Sequence, residues 1–373
     1  MMILRETRVR QPRSSGVGLA QCLRQGRGLL AVLVGLAAFV TSPLTAAEAT
    51  GTAFPVRSRV RVIVDNDFGG DPDGLFQLAH QLLSPSVEVR GVIASRNYAH
   101  GFYGYPGTAG HAAEVARELL AAMGKTAVVL VKGAEGDIPA LDQPCPSEAS
   151  RLIVQEAMRE DVATPLYLVC GAGLTNVASA YLAEPRIASR IRLIWIGGPE
   201  YAGSPAAAGS LEYNLGIDLR AAQVVFNQSA IPIWQVPRDT YRQALVSCSE
   251  LEARIGTRGK VGHFLLGRLR DLMVRAGGSL GETYVLGDSP LVLLSALQSS
   301  WDMDTSSSRY LNRRAPKITN AGTYEDNPGG RSIRVFTAVD NRLMFEDLFA
   351  KIARADAPGA GVAQPDEQKP SRD

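Results

Sequence analysis

The chain has 373 residues, 46% hydrophobic and 20% charged, an ordinary balance for a soluble globular protein with a sizeable core. Its formal charge of +2 is set by residues 1–49, where six arginines meet two glutamates; the remainder holds 33 basic and 35 acidic residues, about −2. That remainder offers no basic face, which sets aside a nucleic-acid binder.

Arg5, Arg8, Arg10, Arg13, Arg24 and Arg27 precede an apolar run from Leu29 to Val40, and Pro43 with small residues around Ala47 and Ala49 follows. This order predicts a signal peptide over residues 1–49 and a secreted or periplasmic mature protein. Twelve apolar residues are too few to span a bilayer comfortably, so no stable membrane anchor is expected after cleavage. Cys22 lies before the apolar run and is not placed as a lipid-anchoring cysteine. Cys145, Cys170 and Cys248 remain, allowing at most one disulfide and matching no zinc spacing. Cys170 lies in an apolar run and reads as a buried small hydrophobe.

From Val60 onwards, strand-like and helix-like segments alternate. VRVIVDN reads as a buried strand, and GLFQLAHQLLS then carries Leu75, Leu78 and Leu82 at helical spacing. VEVRGVIAS is a second strand, and HAAEVARELLAAMG a second helix that Gly124 closes. AVVLVKG, PLYLVCG, RIRLIWIGG and IPIWQVP are further β-rich runs, with helices expected at 147–159, 174–183 and 219–227. Residues 250–277 read as polar and helical, RRAPKITNAGTYEDNPGG as a long loop, and SIRVFTAVD with RLMFEDLFAKIA as a last strand and helix. Strands alternating with helices predict an α/β fold: a mostly parallel central sheet with helices on both faces, an open Rossmann-like sheet. No linker divides the middle, so one domain is expected over 58–354, followed by a disordered tail at 355–373.

The densest chemistry lies at the end of the first strand, where Asp65, Asp67, Asp71 and Asp73 fall within nine residues. Ligands bind at the carboxyl ends of strands in such sheets, and Gly69 and Gly70 permit a turn that folds the carboxylates around a common point. Oxygen ligands at this density suit a hard cation, Ca²⁺ ahead of Mg²⁺. The plainer alternative is a solvated acidic loop with Asp73 capping the helix, but four aspartates exceed what a cap needs. A strand ending in D-x-D is also similar to the opening of the haloacid dehalogenase phosphatases, with Asp65 as nucleophile and Asp67 as acid. Two departures weigh against it: Phe68 follows where small residues are usual, and no further acid lies in 291–297.

The better match is the inosine-uridine nucleoside hydrolase family, which the chain resembles in a divergent, exported form. Asp65, Asp67, Gly69 and Asp71 fall on its D-x-D-P-G-x-D-D opening. GAGLTNVASA (171–180) is similar to its G-P-L-T-N segment, IWIGGP (194–199) to its strand ending in G-G, and SLEYNLGIDLRAAQVVF (210–226) to E-F-N-x-x-x-D-x-x-A-A. DTYRQALVS (239–247) and GDSPLVLLSAL (287–297) resemble its D-x-T-H-Q-like and H-D-P-L stretches. The matches keep the family's order from Val60 to Phe349.

The resemblance implies Ca²⁺ as cofactor, held by Asp67, Asp73, Asp288 and the backbone carbonyl of Gly171, with Asp67 doubling as the base that deprotonates water. Asp71, Asn97, Glu212 and Asn214 would hold the sugar hydroxyls, and Asp65 would orient the ligands from behind. The implied reaction is hydrolysis of the N-glycosidic bond of a small-molecule ribonucleoside, and family members often form homo-oligomers. The residue types suit that chemistry by themselves, since negative charge stabilises an oxocarbenium-like state. Two positions depart from the pattern. The adjacent D-D pair is here Asp71-Pro72-Asp73, and the His that in many members protonates the leaving base is Gly287. His100 or His111, which flank the aromatic loop NYAHGFYGYPGTAGH, and Tyr241 with Arg242 are the candidates for the leaving-group side. In that loop Tyr98, Phe102, Tyr103 and Tyr105 could stack on a base or sugar ring. Hydrolysis of another glycoside on the same fold, and a non-catalytic periplasmic sugar- or nucleoside-binding protein, stay open beside the nucleoside reading.

Overall fold

The run VRVIVDN forms the first strand, β1 (Val60–Asn66), in a computed structural model that describes residues 54–203, 210–278, 281–301, 304 and 307–356. The signal-like segment and the tail beyond residue 356 therefore lie outside the described residues. After β1 come α1 (Asp73–Leu82), β2 (Val87–Ala94), α2 (Ala109–Ala122), β3 (Leu130–Lys132), α3 (Glu148–Ala157), β4 (Leu166–Gly171), α4 (Thr175–Ala183) and β5 (Ile191–Ile196). Two short helices, α5 (Tyr213–Ile217) and α6 (Leu219–Gln223), lead to β6 (Ile233–Val236) and α7 (Arg238–Tyr241). Then follow β7 (Leu245–Ser247), α8 (Cys248–Ile255), α9 (Gly259–Arg275), β8 (Thr283–Val285) and α10 (Pro290–Ser295). The described chain closes with β9 (Arg309–Arg314), β10 (Lys317–Ile318), β11 (Tyr324–Glu325), β12 (Ser332–Ala338) and α11 (Asn341–Ala355).

Eight strands form one sheet in the order β3-β2-β1-β4-β5-β6-β12-β9. All neighbours are parallel except the edge strand β9, which runs antiparallel to β12. The mostly parallel sheet with helices on both faces is the architecture the alternating pattern predicts. Period-two alternation divides β1 between two apolar layers: Val60, Val62 and Val64 join one, Ile63 the other. The first layer takes Leu75 and Phe76 of α1 and Ala112 and Leu119 of α2; the second takes Ile153 of α3 and Val177 of α4. Each large apolar side chain buried this way contributes roughly 1.5–3 kcal/mol. Because α1 leaves β1 on one face and α4 leaves β4 on the other, the chain changes direction between these adjacent strands. Such a switch point opens a crevice at their carboxyl ends.

Local signals hold at the helix ends. Thr108 accepts from the backbone N–H of His111 to cap α2, whose last turn is followed by Gly124 at φ +66°. Cys145, Cys170 and Cys248 are free thiols, and Cys170 is fully buried. Three readings need correction. The long loop at 313–330 begins inside β9 and contains the β10–β11 hairpin, whose two-residue strands are too short to show a period. Residues 250–277 form two helices, and their Leu251, Ile255, Leu265, Leu266, Leu269 and Leu272 enter the core. The stretch 219–227 is α6 followed by a π-helical turn at Val224–Gln228, which a 3.6-residue period does not anticipate.

Candidate active site

The carboxyl ends of β1 and β4 border an open cleft of about 250 Å³ lined by Asp67, Asp71, Asp73, Asp288, Glu212, Asn214, Tyr213, Phe102, Tyr241, Arg242, Gly171, Gly287, Ile196 and Val285. Each carboxylate reaches it by a separate local device. Asp67 follows β1, where its own N–H donates to Asn66 Oδ1 at 2.8 Å and its carbonyl accepts from Gly70 at 2.9 Å. Pro72, at φ −71°, starts α1, so Asp71 and Asp73 straddle it, and Asp73 N–H donates to Asp71 Oδ1 at 3.1 Å. The extra residue thus leaves both carboxylates on one cleft. Asp288 precedes α10, and its N–H donates to Asp73 Oδ2 at 3.1 Å. Asn66 Nδ2 donates to Asp288 Oδ2 at 2.9 Å, tying the late carboxylate to the first strand. Gly171 is required by close approach, since a Cβ there would lie 2.6 Å from both Asp288 Oδ1 and Asn66 Nδ2.

The electrostatics of this cluster are one-signed. Burial pushes the Asp67 carboxyl well above the ordinary range, with Asp288 and Asp71 adding to it. Burial does the same to Asp73, reinforced by Asp288, Asp71 and Asp67. Asp288 is pushed up to about 7, chiefly by burial, against the opposing Asn66 hydrogen bond. Burial also raises Asp71, although Tyr284 donates to its Oδ1 at 2.6 Å. Carboxylates so crowded are relieved either by holding protons above the ordinary range or by a cation among them. A hard dication fits the donor set, all oxygen and in excess of negative charge. As they stand, no three His, Cys, Asp or Glu side chains among the described residues converge in ligating geometry. Each Asp73 oxygen accepts one N–H, from Gly74 and from Asp288, which leaves a lone pair on each for a cation.

Asp65 is pushed up to about 6 by burial, opposed by hydrogen bonds from Ser95 and Asn176. Raised carboxyls stabilise the fold while protonated; that contribution is complete below about pH 4. It is lost as pH rises through about 6 for Asp65 and about 7 for Asp288. In chelator, Tm is therefore expected to fall between pH 5 and pH 8, and Ca²⁺ to restore it at pH 8. A Tm unmoved by Ca²⁺ at pH 8 would rule out an ion in the cluster.

The other predicted residues divide. Glu212 is fully buried and caps α5: its Oε2 accepts from Gly198 N–H at 2.7 Å and Leu215 N–H at 2.9 Å. Gly198 presents that N–H from φ +90°, open to glycine and strained for other residues. Tyr241 donates to Glu212 Oε1 at 2.9 Å, and Asn214 Nδ2 is anchored on the Ile196 carbonyl at 2.9 Å. Arg242 is exposed at the rim. Asp65 does not line the cleft: it is 1% exposed, and Asn176 Nδ2 donates to its Oδ2 at 3.2 Å. It therefore offers no open nucleophile of the phosphatase kind. Asn97 is buried beside the turn, where Cβ atoms added to Gly70 and Gly107 would meet its Nδ2 and Oδ1 at 2.7 and 2.6 Å, and that Oδ1 has no hydrogen-bond partner among the described residues. His100 is exposed and stacked on Tyr98, with ring centroids 5.2 Å apart, and is not among the lining residues of the cleft. His111 lies against Gly69. Of the loop aromatics only Phe102 lines the cleft. Sequence reasoning missed Asn66 and Tyr284, whose partners lie 222 and 213 residues away, and Tyr213, which sits in plain view within LEYN.

Fold and site together define an α/β protein with a polyacidic crevice at the switch point of a parallel sheet. The sequence pattern of the family described as "Inosine-uridine preferring nucleoside hydrolase" matches residues 62–340, and the chain belongs to that family. It is 38% identical over 103 residues to the inosine-uridine preferring nucleoside hydrolase of Crithidia fasciculata, covering 26% of this chain and 30% of that one. The Leishmania major protein of the same description is 37% identical over 103 residues, 26% of this chain and 31% of that one. The chain thus matches about a third of the length of these relatives. Among solved structures, a plant nucleoside hydrolase superposes with a TM-score of 0.61 at 19% identity, covering 80% of this chain and 100% of the other. The purine-preferring ribonucleoside hydrolase of Gardnerella vaginalis gives 0.62 at 19% identity, covering 79% and 99%. These likenesses establish the shared fold.

Proposed function

We propose that this chain hydrolyses the N-glycosidic bond of ribonucleosides, releasing free base and ribose, with Asp67 accepting the proton of the attacking water. The observation that carries the reading is the convergence of Asp67, Asp71, Asp73 and Asp288 with Glu212 and Asn214 in one cleft. Asp67 stands in that cleft at the carboxyl end of β1, where a carboxylate can take a proton from water. Glu212, immobilised through Oε2, leaves Oε1 and the Tyr241 hydroxyl towards the sugar. Negative charge on this side favours the positive charge that develops on the sugar ring as the base departs. Asp67, Asp73 and Asp288, with the Gly171 carbonyl, are the groups we assign to Ca²⁺. Bound there, the cation would supply Lewis acidity towards water and sugar hydroxyls. We further infer that the enzyme acts outside the cytoplasm, on the strength of the signal-like residues 1–49.

A second reading rests on the remainder of the lining. Phe102, Arg242, Val285 and Gly287 contribute to it, and no histidine stands among the described lining residues. A leaving group other than a nucleobase, on the same fold, suits a lining without an imidazole. Release of free ribose from a panel of purine and pyrimidine nucleosides, with Ca²⁺ and again with chelator, separates the readings. Chelator-sensitive release is expected. Its absence from every nucleoside, with Ca²⁺ still bound, would shift the assignment to another glycoside or to a binding protein without turnover.

A further inference from the structure

Tyr213 lines the cleft, yet its phenol oxygen is shut off from solvent and finds no hydrogen-bond partner among the described residues. Its ring is clamped. Tyr98 meets it edge-on with centroids 4.9 Å apart, and Phe102 meets it at 6.0 Å. Tyr98 also donates to the main-chain carbonyl of Tyr213 at 3.0 Å. A ligand hydroxyl reaches the phenol oxygen with a small shift of these side chains, of the kind common on binding. A buried polar group without a partner calls for an explanation, and a ligand atom is the natural one in a binding cleft. Burial, then the charges of Asp67, Asp71 and Asp73, hold the phenol well above its ordinary pKa, so it stays a donor.

Donors are scarce in this cleft. The Tyr241 proton goes to Glu212, one of the two Asn214 amide hydrogens goes to the Ile196 carbonyl, and Arg242 stands exposed at the rim. Carboxylates accept protons from a sugar hydroxyl but leave its lone pairs unused. We propose that the Tyr213 hydroxyl donates to one ribose hydroxyl, whose own proton goes to a neighbouring carboxylate, making Tyr213 a specificity-determining residue for the sugar. This rests on the ribonucleoside reading above.

Tyr213→Phe removes the donor and keeps the ring. The test compares wild type and Tyr213→Phe on a ribonucleoside and its 2′-, 3′- and 5′-deoxy analogues. Calorimetric titration with free ribose, and Tm, are read alongside. The expected fall in kcat/KM on the ribonucleoside is roughly tenfold. It should vanish for the one analogue lacking the partner hydroxyl. Ribose binding should weaken in parallel, with Tm unchanged or raised because no native hydrogen bond is lost. An equal penalty on every analogue, no penalty on the ribonucleoside, or a lowered Tm accompanying the loss would overturn the assignment. If wild type turns over no nucleoside, the hydrolase reading fails by itself. Ribose titration then still decides: binding weakened by Tyr213→Phe supports the donor, and binding unchanged or absent in both proteins refutes it.

Discussion

Asp67→Asn is expected to lower kcat on ribonucleosides by about a thousandfold, the scale of a lost general base, while nucleoside binding stays measurable. The substitution is nearly isosteric, so packing at the end of β1 should survive. The Asp67 carboxyl is raised by burial and by Asp288 and Asp71, so exchanging it for a neutral amide relieves repulsion within the cluster. Tm of the cation-free variant is therefore expected to match or exceed wild type at pH 8. Loss of turnover without loss of stability marks chemistry rather than folding. Single-turnover kinetics and calorimetry read the two halves separately. Turnover within tenfold of wild type would remove Asp67 from the role of base. A binding protein would have no turnover to lose.

Arg238→Ala is expected to destabilise the protein by about 3–5 kcal/mol, the cost of stranding one member of a buried ion pair. Tm should drop by roughly ten degrees. Arg238 and Glu200 are each 3% exposed at the side chain, and the guanidinium meets the carboxylate in a fork, Nε to Oε1 and Nη2 to Oε2, both at 2.6 Å. Arg238 also donates to the Ser210 carbonyl at 3.0 Å, and its own N–H donates to the Gly198 carbonyl at 3.1 Å. It thereby holds both flanks of the segment that delivers Glu212, whose Oε2 depends on the Gly198 amide. Activity should fall with stability, and Glu200→Gln combined with Arg238→Met should recover part of both. A denaturation midpoint within about 1 kcal/mol of wild type would show the pair to be dispensable. Arg238→Lys tests geometry against charge, since an ammonium cannot reproduce the fork.

The two variants probe opposite kinds of information in this chain. Asp67 is legible from its neighbours alone: four carboxylates after a β-branched strand, with two glycines to turn on, crowd within nine residues. The parallel sheet is legible for the same reason. Strand and helix periods are local, and burial on both faces writes PLYLVCG as a continuous apolar run and VRVIV as one broken only by Arg61. Asp288 was reached through resemblance, not periodicity, because nothing around GDSP distinguishes it from a turn.

What the tertiary structure decided is which side chains spend their polar atoms on one another. Asn97 and His100 sit in a loop whose composition suits a binding site, and packing sets their places: Asn97 buried beside Gly70 and Gly107, His100 exposed and stacked on Tyr98. Asn66 could have been any polar residue at a strand end until its amide met Asp288, 222 residues away. Tyr284 is likewise anonymous until it reaches Asp71 across 213 residues, and Arg238 until it forks onto Glu200. The alternation of strands and helices, the crowded aspartates after β1 and their oxygen-only chemistry follow from hydrophobic period and charge density, which neighbouring residues carry. The pairing of Asn66 with Asp288, the clamp on Glu212 and the unpartnered hydroxyl of Tyr213 depend on contacts between distant segments, and only closure of the sheet brings those segments together.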